Sequence, residues 1–149
     1  MTRDNLPPIA KAAETLLAAI EQAVSRFPRT HRYTAGADLR HQAMLVTELT
    51  HRAWREESRR VEWAYRLKWE IDGLKIKLQL CSRLRAFSSF GQYEELARQA
   101  RAVGKQAGGW YSQLIESHPK GQNGHGGHAD AQRAQELSTR GTSQWEVYL

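Results

Sequence analysis

Apolar residues recur every three or four positions along most of the chain before Glu116, a spacing typical of amphipathic helices. Three breaks interrupt this pattern: an aromatic bend that begins at Phe27-Pro28, a polar turn at 55–60, and a Ser-rich stretch at 87–91. We therefore expect four helices, over about 7–26, 34–57, 59–87 and 89–116. The sequence predicts an all-α fold, an antiparallel four-helix bundle that occupies residues 1–116.

Short polar side chains near each predicted helix start can accept a hydrogen bond from the free amide groups of the first turn. In chain order, these candidate caps are Asp4 or Asn5, Thr34 or Asp38, Ser58, and Ser88 or Ser89.

The predicted third helix carries two apolar stripes. The first is a heptad seam formed by Ala64, Leu67, Ile71, Leu74, Leu78 and Cys81. The second lies off that seam and consists of Trp69, Ile76, Leu80 and Leu84. One stripe is enough to pack a four-helix bundle, so the second indicates either a subunit contact or a wide core face.

Small residues on the predicted fourth helix, such as Ala100 and Gly104, permit close approach of a neighbouring helix. Adjacent glycines weaken an exposed helix, so we interpret Gly108-Gly109 as a tight contact or a kink.

The composition changes after Glu116. The Pro119–His128 stretch has no apolar residue that could anchor it, which predicts that residues 117–149 form a flexible tail outside the bundle. His125 and His128 could hold a metal weakly, but no ordered segment nearby is expected to supply a third ligand, so we predict no metal site.

Positive charge is concentrated in one part of the chain. The whole sequence has 22 Lys and Arg against 16 Asp and Glu, a net charge of +6, and residues 52–85 hold ten cations against five anions, which is +5. This concentration favours a polyanionic partner such as nucleic acid over an anionic membrane. The candidate binding residues are Arg52, Arg55, Arg59, Arg60, Arg66, Lys68, Lys75, Lys77, Arg83 and Arg85. Among them, Trp54, Trp63 and Trp69 could stack on unpaired bases or lie in the core or an interface.

Known enzyme signatures are missing from the sequence. It has no Gly-rich phosphate loop, no HExxH motif and no Cys/His pair with supporting context, so we predict a non-enzymatic protein without a cofactor. The single cysteine, Cys81, lies in the apolar seam and should be a buried, inert thiol. A reducing compartment, no signal peptide and no membrane span predict a cytoplasmic protein.

The bend carries a recognisable motif. Phe27-Pro28-Arg29, Arg32-Tyr33, Gly36 and Leu39 match the pattern F-P-[KR]-x-x-R-Y-x-x-G-x-x-L. This pattern resembles the four-helix-bundle proteins related to those encoded in ribosomal RNA intervening sequences. Within that group the chain is most similar to the accessory variability determinant (Avd) proteins of diversity-generating retroelements, over about residues 9–116.

The resemblance implies a basic homopentamer with the shape of a tapered barrel. Such proteins bind the reverse transcriptase of the same element and its template-repeat RNA or DNA, and they support error-prone cDNA synthesis in mutagenic retrohoming. The alternative is an oligomeric four-helix scaffold of the intervening-sequence type without a reverse-transcriptase partner. In either case we expect Phe27, Pro28 and Tyr33 to be structural, and the cations of 52–85 to form the binding surface.

Overall fold

The computed structural model describes residues 5–117, which form four long helices and one short helical segment. These are α1 (Pro8–Ser25), α2 (Arg29–Arg32), α3 (Ala35–Arg55), α4 (Arg60–Arg83) and α5 (Phe90–Ser117), and a 3-10 turn at Glu57–Arg59 precedes α4. Successive long helices are joined by short connections and run antiparallel; α3 packs on α1 and α4, and α5 packs on α4 and α1. The predicted all-helical bundle is confirmed for this part of the chain, and the predicted tail lies outside the described residues.

Each long helix contributes one buried stripe to the core. The predicted seam of α4 is confirmed, because all six of its side chains are at most 2% exposed. The largest fully buried side chains of the bundle are Phe27, Leu16, Ile20, Leu39, Leu49, Leu67, Ile71, Leu74, Leu78, Val24, Val46 and Val103.

The bend between α1 and α3 contains the short helix α2, which the sequence pattern did not predict. Pro28 precedes α2 in an extended conformation, and the amides of His31 and Arg32 donate to its carbonyl. Gly36 is required at the start of α3 because a Cβ there would lie 2.8 Å from Val24 Cγ1. The bend thus fixes α1 against α3.

The two aromatic residues of the bend have different environments. Phe27 is 1% exposed, and its ring meets the Phe87 ring edge to face at 5.0 Å. Tyr33, in contrast, is 68% exposed. The expectation that Tyr33 is structural is therefore wrong, because it follows the last residue of α2 and lies on the surface, outside the core.

Most predicted helix caps are wrong. Pro7 is the N-cap residue of α1 and separates Asn5 from the helix start, while Asp4 lies outside the described residues. Thr34 is the N-cap residue of α3, so that predicted helix start is confirmed, but its hydroxyl donates to the Thr30 carbonyl and does not accept from the first turn. Asp38 lies beyond the start of that helix. Ser58 lies within the 3-10 turn and does not cap α4.

The serine cap of α5 is confirmed. Ser89 Oγ accepts from the backbone N–H of Gln92 at 3.1 Å, and Gln92 Oε1 accepts in return from the backbone N–H of Ser88 at 3.1 Å. This reciprocal pair satisfies two amide groups at the start of the helix.

The glycines of α5 have two different environments. A Cβ on Gly104 would lie 3.3 Å from Ile71 Cγ2, so this glycine permits the close packing of α5 on α4. A Cβ on Gly108 or Gly109 would meet nothing within 4 Å, and α5 continues through both residues. The interpretation of this pair as a tight contact within the bundle is therefore wrong, and nothing in the structure explains the two glycines.

Cys81 is buried in the α4 seam, as predicted, and its thiol donates a weak hydrogen bond to the Ala35 carbonyl at 3.9 Å. Burial raises the pKa of the Cys81 thiol from 9.0 to about 11. At pH 8 we therefore expect iodoacetamide to label the native protein about a hundredfold more slowly than the urea-unfolded protein, because the thiolate is the reactive form. Equal labelling rates would contradict this.

The same shift in the pKa of Cys81 makes the stability of the protein depend on pH. The thiol ionises at a lower pH in the unfolded protein than in the native protein, so the free energy of unfolding should fall as pH rises from 9 towards 11.

None of the helices within residues 5–117 combines the length and the apolar character needed to cross a bilayer.

Candidate nucleic-acid interface

The ten predicted cations follow the end of α3 and the whole of α4. A helix of 24 residues is about 36 Å long at 1.5 Å per residue, so these cations are spread over the length of the bundle. The face of α4 opposite the buried seam carries the outer stripe, which we define as Trp69, Ile76, Leu80 and Leu84; each is 48–56% exposed. Cations flank this outer stripe on the α3 side and on the α5 side.

On the α3 side, Arg66 and Lys77 contact groups of the bundle itself. Arg66 Nε lies 4.0 Å from Glu70 Oε1. Lys77 Nζ donates to Gln42 Oε1 at 3.1 Å, and burial lowers the pKa of Lys77 although Asp38 and Glu70 oppose the shift.

On the α5 side, Lys68 and Lys75 also have intramolecular partners. Lys68 Nζ lies over the Tyr111 ring, 4.7 Å from its centroid, in a cation–π contact. Lys75 Nζ lies 3.5 Å from Asp72 Oδ1 and packs close to Gly104 of α5. The Lys68 contact joins α4 to α5, and the Lys75 ion pair lies within α4.

Three arginines form ion pairs or hydrogen bonds at the corner between α3 and α4. Arg52 pairs with Glu48 at 3.0 Å and with Glu56 at 3.4 Å. Arg59 pairs with Glu62 at 3.2 Å. Arg60 donates to the carbonyls of Ala53 at 2.9 Å and Trp54 at 2.6 Å, and so it satisfies backbone acceptors that the last turn of α3 leaves free.

The three tryptophans considered for base stacking lie in three environments. Trp63 is buried, its Nε1 donates to Glu56 Oε2 at 2.7 Å, and the Arg59 guanidinium covers its ring. Trp54 is half-buried, and Trp69 belongs to the exposed outer stripe. Only Trp69 presents a largely open ring to a partner.

The remaining three candidates are exposed and form no ion pair within residues 5–117; they are Arg55, Arg83 and Arg85. Seven of the ten cations therefore contact the protein's own groups, and three project freely. The structure does not bring all ten together at one point, and their role in binding a partner stays a prediction.

The ten predicted cations do not include Arg26 and Arg29, which are exposed and lie at the same end of the bundle as Arg83 and Arg85. The topology of a four-helix bundle predicts that these two pairs of arginines lie at the same end. In an up-down bundle the connection after the first long helix and the connection before the last one lie at the same end. More than fifty residues separate these two segments in the sequence, but both lie at the same end of the folded bundle.

Among residues 5–117, His, Cys, Asp and Glu side chains form no group of three or more that could hold a metal ion. His125 and His128 lie outside the described residues.

Neither the family models nor the curated proteins include a match to this chain. The likeness to Avd proteins therefore stays a prediction from the residues of the bend.

Proposed function

We propose that this protein is a non-enzymatic, basic accessory factor of a diversity-generating retroelement. In this proposal it assembles as a homopentamer, binds the element's reverse transcriptase and its template RNA, and supports error-prone cDNA synthesis. The bend motif that includes Phe27, Gly36 and Leu39 points to this family. The structural observation that carries the proposal is the outer stripe of α4, which the bundle itself leaves uncovered.

The outer stripe has the character of a subunit contact. Its four large apolar side chains are about half exposed on a helix that already buries its opposite face completely. Covering them would contribute on the order of a few kcal/mol per contact from burial alone. The cations on both sides would then form a polar rim around an apolar centre, which is the usual anatomy of a protein interface.

Charge supports the nucleic-acid part of the proposal. Each chain carries a net charge of +6, so five copies bring a formal +30 into one particle. Because phosphate contacts release counterions, such a particle would bind a long RNA well even if each chain contributes few contacts.

Assembly is tested by placing charge on the outer stripe. We expect wild-type protein to have about five times the 17.0 kDa chain mass by native mass spectrometry. The double variant Ile76→Glu/Leu80→Glu should be monomeric with unchanged helicity, because both side chains are largely exposed. The matched control Met44→Glu/Ile115→Glu changes two exposed apolar residues outside the stripe and should keep the wild-type mass. A monomeric wild-type protein, or loss of assembly in the control alone, would contradict the proposed interface.

The partner assignment is tested by co-purification. Tagged wild-type protein should retain the reverse transcriptase encoded beside its gene, together with RNA that contains the template repeat. A genome that lacks a neighbouring reverse-transcriptase gene and a template/variable repeat pair would refute the retroelement role.

A second candidate is the oligomeric scaffold without a reverse-transcriptase partner. It is favoured by the observation that seven of the ten predicted cations already contact the protein's own groups. A stable oligomer that retains neither reverse transcriptase nor RNA would select this candidate.

A further inference from the structure

One end of the bundle gathers arginines that form no ion pair with any group of residues 5–117. We call this surface the bend end and define it as residues 26–34 together with residues 83–90. Arg26, Arg29, Arg83 and Arg85 are all exposed there, and none forms an ion pair within the described part of the chain. This contrasts with the middle of α4, where an acidic, amide or aromatic group contacts each cation.

A chain of aromatic contacts connects the two segments of the bend end. The Phe27 ring meets Phe87 at 5.0 Å, Phe87 meets Tyr93 at 5.8 Å, and Tyr93 meets Phe90 at 5.8 Å between ring centroids. Because Phe27 is completely buried, this chain anchors the loop before α5 to the bend after α1. The arginines of both segments are therefore attached to one packed unit.

The same surface carries two aromatic rings that face solvent. Tyr33 is 68% exposed and Phe90 is 67% exposed, more than any other large apolar side chain of residues 5–117. Exposed rings and cations at one end of a domain suit unpaired bases, because every base can stack on a ring while the cations contact phosphates.

The charge balance of this end is also positive. Residues 26–38 and 83–94 contain five arginines against two acids, Asp38 and Glu94, so they carry +3 of the chain's +6. Of these arginines, Arg32 is turned inward and donates to the Phe27 carbonyl at 3.2 Å. The other four remain available to a ligand.

Arg85 has a backbone conformation that normally favours glycine. Its φ is +57°, the single positive φ among non-glycine residues in the described chain. The Ala86 N–H donates to the Cys81 carbonyl and the Arg85 N–H to the Ser82 carbonyl, both at 3.0 Å, which closes α4 in a Schellman motif. Arginine at this position is strained relative to glycine, and such strain is a recognised mark of functional positions.

We propose that the bend end binds single-stranded nucleic acid, with the four free arginines on phosphates and Tyr33 and Phe90 stacked on bases. This inference rests on the nucleic-acid role in the proposed function, and it locates the contact at one end of the bundle instead of along α4.

The location is tested by two variants with the same loss of charge, measured by fluorescence anisotropy with a short oligouridylate over a salt series. The end variant is Arg26→Gln/Arg29→Gln/Arg83→Gln, and the control variant is Lys11→Gln/Arg101→Gln/Lys105→Gln, which changes exposed cations elsewhere. The end variant should lower the slope of log K against log salt by about 2, since each phosphate contact on a single strand contributes about 0.7. The control should keep the wild-type slope.

Stacking is tested separately. Tyr33→Ala and Phe90→Ala should each weaken oligouridylate binding by roughly fivefold or more, with the salt slope unchanged, because they remove no charge. The same strand annealed into a duplex should bind without sensitivity to either substitution, and a matching single-stranded DNA shows whether the sugar matters. Equal loss on duplex and single strand would refute base stacking.

Arg85→Gly separates binding from folding. Glycine suits the left-handed conformation, so the urea midpoint should be unchanged or higher, while oligouridylate binding weakens. A variant that binds as wild type would show that Arg85 is not a contact.

The outcomes distinguish this inference from the proposed function. If the end and control variants lose the same slope, the bend end is wrong although nucleic-acid binding stands. If the end variant loses binding but the reverse transcriptase does not co-purify, the bend end stands and the retroelement role fails. If wild type does not bind the oligonucleotide, and the end variant instead loses the reverse transcriptase, the surface binds protein and the inference is overturned.

Discussion

Replacing Phe27 with alanine should lower the free energy of unfolding by about 3–5 kcal/mol, the range for truncating a buried aromatic side chain. Phe27 is 1% exposed and packs between the end of α1, Gly36 of α3 and the Phe87 ring. Its removal would leave a cavity where three segments meet, and it would also remove an edge-to-face contact worth about 0.5–1.5 kcal/mol. Urea unfolding followed by circular dichroism at one protein concentration measures this loss.

Phe90→Ala is the matched control. It removes the same side chain at the same end of the bundle from a ring that is 67% exposed, so the change should stay near 0.5 kcal/mol. If Phe27→Ala cost no more than this control, the bend would not belong to the core.

The second large effect is expected at Gln42, a polar residue that is 4% exposed. Its Nε2 donates to the Glu70 carbonyl and to Glu70 Oε2, both at 2.8 Å, and its Oε1 accepts from Lys77 Nζ at 3.1 Å. Gln42→Leu would retain most of the volume but remove all three hydrogen bonds, two of them to charged groups. We expect a loss of about 2–4 kcal/mol, because partly buried charged groups lose hydrogen-bond partners.

Two comparisons sharpen this prediction. His41→Ala, on the exposed face of the same helix turn, should change stability by less than about 0.5 kcal/mol. Gly73→Ala should produce a smaller loss than Gln42→Leu, because its Cβ would crowd Gln42 Nε2 at 3.1 Å without removing the amide. If Gln42→Leu is neutral, the α3–α4 contact depends on apolar packing alone.

Most of the fold could be predicted from apolar spacing. The seam of α4 from Ala64 to Cys81 is buried as the heptad pattern indicated. The outer stripe is exposed, so its interpretation as part of a wide core face is wrong. A three-and-four repeat places apolar side chains on one face of a helix, so the repeat predicts which face is buried. Local backbone details have no comparable pattern in the sequence. The short α2 within the bend and the capping of α3 by Arg60 depend on how the chain closes around neighbouring helices.

The candidate site was harder to predict, because charge along the chain does not show which groups a cation contacts. Lys77 and Arg60 look equivalent to Arg83 in sequence, yet Lys77 contacts Gln42, Arg60 caps α3, and Arg83 is exposed. These differences arise from cross-helix distances that no local pattern encodes. Likewise, Arg26 and Arg83 lie at the same end of the bundle because of the topology, which spacing along the chain does not show.

At position 85 the backbone is left-handed, so glycine would favour stability, whereas the proposed binding requires arginine. A chain selected for stability alone would gain by replacing this arginine with glycine, because the Schellman motif would persist and the strain would disappear. If the bend end binds nucleic acid, that gain comes with a loss of activity, and stabilised variants that carry glycine at position 85 should arise readily in the laboratory but function poorly. We therefore expect substitutions at position 85 to change stability and nucleic-acid binding in opposite directions.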